Sequence, residues 1–353
     1  MAVQWPLSLL VFALLNVVAL SDRSLYDVEV VSKSTSRPIL PNGVSATISR
    51  VIVVDVSGRN GQFKSVQQAI NSIPSNNKDW VEIRVKAGIY REKVKIPLEK
   101  PNISIVGEGR ETTIIEWSDG GGSQTIEYST FQVYANNIVV KDITFKNTYQ
   151  AARITQAPAT LIYGDKVSFY GCGFVGVQDT LTDFVGRHYF QGCYVQGYID
   201  FIWGYGQSIY KDCTINVTSG PYNDKIYGAG YITAQGRSPD KTTKGDNHGY
   251  VFTYCKVVGT SRAFLGRPYK TDSKVVFYKN YLSDAVVSQG WSYNLAPSQL
   301  GSIINEEVEC TGPGASKTKR ARLGKSLSKQ ELDKLISLDS FINYDHWIEK
   351  QPR

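Results

Sequence analysis

The sequence predicts an all-β fold: a solenoid of the parallel β-helix type, with a short capping helix near its N-terminal end and a helical tail at its C-terminal end. Three observations lead there. The first is a repeat within 169–204, FYGCGFVGVQDTLTDFVGRHYFQGCYVQGYIDFIWG. Cys172 and Cys193 are 21 residues apart, as are Asp179 and Asp200, and each Asp follows its Cys by seven residues. Cys213 begins a third copy. A fixed period of this kind marks a solenoid in which each repeat is one stacked turn. About 21 residues is too short for two packed helices but suits three short strands joined by bends. The second observation is a family of similar octamers, VKDITFKN (140–147), FYGCGFVG (169–176), FQGCYVQG (190–197), YKDCTINV (210–217), FTYCKVVG (252–259) and FYKNYLSD (277–284). Each opens on an aromatic or apolar residue and places another apolar residue two positions after the Cys position. The third is composition: one Met against 22 Tyr and 31 Gly favours strands and turns over helices.

In chain order, residues 1–21 carry no charge, contain the apolar run LSLLVFALLNVVAL and end on small residues, Ala19-Leu20-Ser21. They read as a secretory signal peptide. Residues 22–49 are polar, contain Pro38 and Pro41, and read as an extended arm. VIVVDV (51–56) is a first strand. In 62–73, Phe63, Val66, Ile70 and Ile73 fall on one helical face, and Pro74 stops the helix. Such a helix caps the open first turn of a solenoid. Strand signals follow at 81–88, 103–109 and 112–117, and then the octamers. Their spacing stretches after 217, so loops project around 218–230 and 238–248, where a rigid scaffold often lines a groove. In the tail, Ser328 to Glu331 forms a capping box, Leu327 and Leu332 fit the hydrophobic staple, and Leu332, Leu335 and Ile336 share a face. This helix is expected to pack along the solenoid.

The chain carries a formal net charge of +7 with scattered basic residues. That pattern gives no nucleic-acid footprint and suits attraction to an acidic polysaccharide outside the cell. Asn102-Ile-Ser104 and Asn216-Val-Thr218 are acceptor motifs for N-glycosylation. Five Cys (172, 193, 213, 255, 310) allow either a buried stack of thiols or a Cys172–Cys193 disulfide. Their spacing does not match a zinc site, and three His are too few to complete one.

If Asp179 and Asp200 occupy equivalent places on neighbouring turns, their backbones lie ~4.8 Å apart. Two carboxylates so placed cannot both ionise freely, so one is held neutral. The pair then offers one group to attack and one to carry a proton. No Gly-x-Ser-x-Gly elbow is present, and no His stands beside an evident nucleophile. Gln178 adjoins Asp179, and Gln156 lies in QAPAT just before the repeat; an amide can donate to a developing oxyanion without titrating. Arg267, in LGRPY, could hold one Asp ionised through a bidentate contact.

These residues fall into a familiar order. Gly88-Ile-Tyr90-Arg-Glu92, QAPAT (156–160), GVQDTL (176–181), DFIWG (200–204), TAQGR (233–237), LGRPY (265–269), GPGA (312–315) and the closing FINYDHWI resemble the pectin methylesterases, especially those of plants, from about residue 50 to the C-terminus. The resemblance implies a right-handed parallel β-helix over 50–353 that needs no metal. It implies hydrolysis of methyl esters on homogalacturonan, giving methanol and acidic pectin. By motif, Asp200 would be the nucleophile, Asp179 the general acid and then base, Gln156 and Gln178 the oxyanion donors, and Arg267 the partner of Asp200. Trp203, Tyr269 and Trp291 could stack on sugar faces, or each could equally serve as packing. Several positions depart from the usual pattern: Tyr269 replaces a Trp, Trp203 a Phe and Leu161 an Arg, Pro158 is gained, and GWSYN (290–294) lacks a second Trp. The resemblance also implies a secreted, cell-wall monomer, and a proteinaceous pectinesterase inhibitor as a further partner. The alternatives are a glycosidase or lyase of the same fold, a pectin-binding protein with little or no turnover, and a purely structural solenoid.

Overall fold

Among the described residues every strand pairing is parallel, and the strands sort into three sheets of ten, seven and eight members, called here A, C and B. The computed structural model describes residues 46–122, 125–236, 248–269, 272–293, 300–321 and 324–352. The expected signal peptide, the expected arm up to residue 45 and residues 237–247 of the second expected loop lie outside the described residues. Between the two ends, each turn gives one strand to each sheet, so the chain forms a right-handed parallel β-helix, the hand that parallel crossovers adopt.

The octamers turn out to be corners rather than single strands. Their first two residues end a sheet A strand, as in Val167–Tyr170, and their last begin a sheet B strand, as in Gly173–Val175. Between them one residue takes a left-handed conformation: Asp142, Gly171, Gly192, Asp212, Tyr254 and Lys279 have φ between 54° and 65° where given at the corner positions. A left-handed residue reverses the side-chain alternation and turns the strand sharply. The residue after it then points inward. That residue is Cys172, Cys193, Cys213 and Cys255 in four turns, all buried.

The inward faces explain the pattern of the octamers. Their first residues stack down the interior, Phe169 on Phe190 at 5.3 Å, Phe190 on Tyr210 at 4.4 Å, Tyr210 on Phe252 at 4.6 Å and Phe252 on Phe277 at 4.5 Å. Offset stacking of this kind adds roughly 0.5–1.5 kcal/mol per pair beyond the area buried. All five Cys are free thiols, so the stack is found and the Cys172–Cys193 bridge is not. Each sulfur donates to a carbonyl on the preceding turn, as Cys193 does to Phe169 at 3.5 Å and Cys255 to Tyr210 at 3.3 Å.

The capping helix is shorter than expected, Val66–Asn71, because Ser65 caps it and Phe63 instead bridges to Val54. Glu92 of the GIYRE motif accepts from Ser65 Oγ (2.6 Å), Val66 N (2.7 Å) and Gln67 N (3.0 Å). A carboxylate at a helix N-terminus satisfies otherwise unpaired amides. The tail forms Lys329–Ile336 with its capping box intact, followed by Leu338–Phe341. It packs over the outer face of sheet A, where Phe341, Ile342 and Trp347 meet Tyr189, Ile209, Val251 and Val276. Arg187 pins it, bonding both Asp165 and Asp345. Of the two glycosylation motifs, Asn216 Nδ2 donates to Tyr194 Oη at 2.8 Å, and Asn102 Nδ2 to Asn77 O at 3.1 Å. Both amide nitrogens are therefore engaged within the fold.

Candidate active site

Sheet C carries the site. Gln156, Gln178 and Ile199 pair by parallel bridges on three successive turns. Asp179 and Asp200, each the next residue after a bridged one, are therefore register equivalents on adjacent turns. The amide of Asp179 donates to Ile199 O at 3.1 Å. Both aspartates are left-handed, with φ of 61° and 48°. Asp is among the few side chains that visit this region readily. The conformation makes a corner, as at the octamers, and holds both carboxyls at the entry edge of the sheet.

The two carboxyls differ in surroundings. Arg267 Nε donates to Asp200 Oδ1 at 2.8 Å and its Nη2 donates to Oδ2, a bidentate ion pair. Asp179 has no such cation against it. Burial, with the neighbouring Asp200 charge adding to it and Arg267 opposing it, pushes Asp179 well above the usual carboxylate range. Burial also pushes Asp200 upward, but the Arg267 hydrogen bond and charge oppose that push. The net shift of Asp200 is still upward, but Asp179, without the guanidinium fork, is pushed further, so of the two carboxyls Asp200 is the one whose surroundings favour the charged form.

Gln156 and Gln178 lie half-buried on the two turns that lead up to the Asp200 turn. Arg267 follows Ala263–Gly266, two strands beyond the Asp200 turn, and reaches back across the intervening strand Gly230–Gln235. Its guanidinium lies over the ring of Tyr231, 4.2 Å from the centroid. No sequence signal marks Tyr231, because the pairing that brings it there spans a loop of irregular length.

Beside the aspartates, Lys95, Gln132, Leu161, Thr182, Trp203 and Ala234 stand in register along sheet C, with Gln132, Leu161, Thr182 and Ala234 buried. Leu161 is fully buried in this row. Trp203 meets Tyr269 edge-on at 6.0 Å, and Tyr269 is 48% exposed. Sequence reasoning missed the rest of this aromatic row. Tyr134, Tyr163, Phe184 and Tyr205 continue it, with centroids 5.2–5.9 Å apart from one to the next. The signal was available, since Tyr163, Phe184 and Tyr205 follow the same 21-residue spacing as the aspartates. Trp291, expected among these groove aromatics, is instead 3% exposed. Its Nε1 donates to Glu307 at 3.0 Å and its ring packs on Phe277, so it offers no face to a sugar. It belongs to the core because it is bridged to Gly266 with its ring turned inward.

The 218–230 loop packs beside the segment that leads to Gln156. Tyr222 and Tyr227 accept from the amides of Ala151 and Ile154, on the segment that leads to Gln156. Among the described residues no group of three or more His, Cys, Asp or Glu gathers as a metal ligand set.

Residues 51–343 match the family model for pectinesterase. The Arabidopsis thaliana protein named "Probable pectinesterase 29" is 46% identical over 309 residues, which is 85% of this chain and 89% of that one. "Probable pectinesterase 55" from the same plant is 44% identical, covering 85% and 91%. Among solved structures, pectin methylesterase from carrot superposes with a TM-score of 0.76 at 31% identity, covering 86% of this chain and 97% of that one. A bacterial enzyme, PemA from Erwinia chrysanthemi, shares the fold with a TM-score of 0.69 at 22% identity, covering 84% and 98%. With the match running the length of the β-helix, the chain belongs to the pectinesterase family of carboxylic ester hydrolases, in its plant-type form.

Proposed function

We propose that this chain hydrolyses the methyl esters of homogalacturonan through Asp200 as nucleophile and Asp179 as general acid and base. The observation that carries the reading is the asymmetry of the aspartate pair. The two are register equivalents, yet only Asp200 receives the Arg267 fork. One carboxyl is thereby kept ionised and the other neutral, which is what a two-step acyl transfer needs.

In the first step an Asp200 oxygen attacks the C6 carbonyl carbon. A carboxylate has about four lone-pair directions, so its bonds to Arg267 leave it able to attack. The amides of Gln156 and Gln178 donate to the oxyanion that develops. The C6–OCH3 bond then breaks, the methoxy oxygen takes the proton of Asp179, and methanol leaves. An anhydride joins Asp200 to the uronate. In the second step the Asp179 carboxylate takes a proton from water as its oxygen attacks the same carbon. The Asp200–acyl bond breaks, a galacturonate carboxyl is released, and both aspartates return to their starting states.

The row from Tyr134 to Tyr269, with Trp203, offers stacking faces to a polymer lying along the groove. The apolar leader and the positive net charge support secretion into a wall that holds an acidic polymer. A capped solenoid needs no second copy to close its ends, which favours a monomer. The test is methanol release from highly methylated pectin by wild type beside Asp200→Asn, with chain length followed in the same tube. Methanol from wild type only, with the polymer uncut, is expected. Pectin binding by a folded wild type without methanol release would identify a non-catalytic binding protein instead.

A further inference from the structure

We propose that Tyr231 is a positioning residue for the Arg267–Asp200 pair, its ring being the platform on which the guanidinium lies. The inference rests on the esterase reading above. Arg267 has to span the Gly230–Gln235 strand to reach Asp200, because Thr233 on that strand pairs with Ile202 on one side and with Gly266 on the other. Two residues before the Ile202–Thr233 pairing stand Asp200 and Tyr231. Tyr231 therefore occupies the place that the Arg side chain must cross.

The contact is built rather than incidental. The guanidinium carbon sits 4.2 Å from the Tyr231 centroid, within the range of a cation–π interaction. Tyr231 is itself held from the far side. Phe264, its register partner on the next strand, stacks on it at 5.5 Å with the planes 14° apart. A column of Phe264, Tyr231 and Arg267 thus ends at the Asp200 carboxylate. An unsupported arginine has a flexible stem, and a planar face beneath the fork restricts it to the orientation that engages both carboxylate oxygens. The titratable and charged groups facing Asp200 are Arg267 and, on the neighbouring turn, Asp179. Tyr231 faces the pair through the guanidinium. Removing the ring loosens the fork and leaves Asp200 easier to protonate.

The experiment compares Tyr231→Leu and Tyr231→Phe with wild type in the full chain. It measures kcat and KM for methanol release across pH, with thermal unfolding as a control on folding. Phe keeps the ring face, and that variant is expected to match wild type. Leu is expected to lower kcat about tenfold, the worth of one desolvated cation–π contact. Its acid limb should move to higher pH, with KM nearly unchanged. A merely structural role would lower the amount of folded enzyme without moving the limb. If Tyr231→Leu does not fold, Tyr231→Met keeps the bulk without the ring face and is read the same way. An active wild type whose Leu or Met variant keeps its pH profile overturns this inference alone. So does a variant that changes KM but not kcat, since the ring would then be touching sugar. A wild type that releases no methanol overturns the esterase reading and this inference with it.

Discussion

Replacing Arg267 by Met removes the charge and the fork while keeping an unbranched stem over Tyr231. The Asp200 side chain is 12% exposed and the Arg267 side chain 29%. Breaking a buried ion pair by removing one partner costs roughly 3–5 kcal/mol. The partial exposure of Arg267 lets water reach the abandoned carboxylate, which brings the cost down to about 2–3 kcal/mol. Asp200 can also escape the cost by taking up a proton, and the protonated form does not attack. Either way the loss appears in the acylation barrier. At 1.36 kcal/mol per decade, kcat should fall by about 30- to 150-fold. Arg267→Lys restores a charge without the bidentate geometry and should recover part of this loss. The assay is the initial rate of methanol release at saturating pectin, with each variant shown to be folded by its thermal transition. The acid limb of the Arg267→Met profile should lie at higher pH than that of wild type. A folded Arg267→Met variant with more than a third of wild-type kcat would falsify the assignment of Asp200 as an Arg-supported nucleophile.

Three further outcomes are expected. Glu92→Ala strips three donors at the start of the capping helix of their acceptor, and should destabilise the protein by about 1–2 kcal/mol, read as a lower urea midpoint. Trp347→Ala should cost about 3–5 kcal/mol, because the indole is 2% exposed between the tail and sheet A. Activity per folded molecule should be unchanged, since sheet C is untouched; a specific loss of kcat would refute that separation. The third concerns His188, which is fully buried, with Nδ1 against Asp183 at 2.5 Å and Nε2 against Gly164 O at 2.9 Å. Burial pulls its pKa down, but Asp183 and the two hydrogen bonds outweigh it and the net shift is upward. A raised folded-state pKa contributes stability that is complete below the unfolded value of roughly 6.5 and is lost as pH rises through the folded value. Urea midpoints should therefore decline on that alkaline side, and His188→Gln should flatten the decline. An equal slope in the variant would show that His188 is not the group responsible.

The periodicity was legible because a solenoid is nearly one-dimensional: each turn meets only its neighbours, so one spacing in sequence becomes one spacing in space. That is why Asp179 and Asp200 could be paired from the 21-residue repeat, and why the capping box at Ser328 could be read where it stands. The octamers are legible as a repeat, but the left-handed corner inside them is not, since it is a backbone state that Asp, Gly, Tyr and Lys all adopt here. Whether the Cys positions made bridges or free thiols also awaited the fold. Their inward direction follows from that corner.

Where the period breaks, the sequence lost its hold. Arg267 lies 67 residues from Asp200, with the stretched loops between them, and only the folded register puts Tyr231 beneath its guanidinium. Trp291 shows the same limit from the other side. An aromatic side chain serves a core or a groove equally well, and which one it serves depends on the direction the backbone gives it. The sequence by itself determined the stacked turns, the aligned carboxyls and the motifs that place the chain in its family. The tertiary structure decided which carboxyl receives the arginine. Spacing left open which carboxyl that is, and the family motifs pointed to Asp200; the fold also decided which rings are buried and which exposed, because burial belongs to neighbours that lie on separate turns.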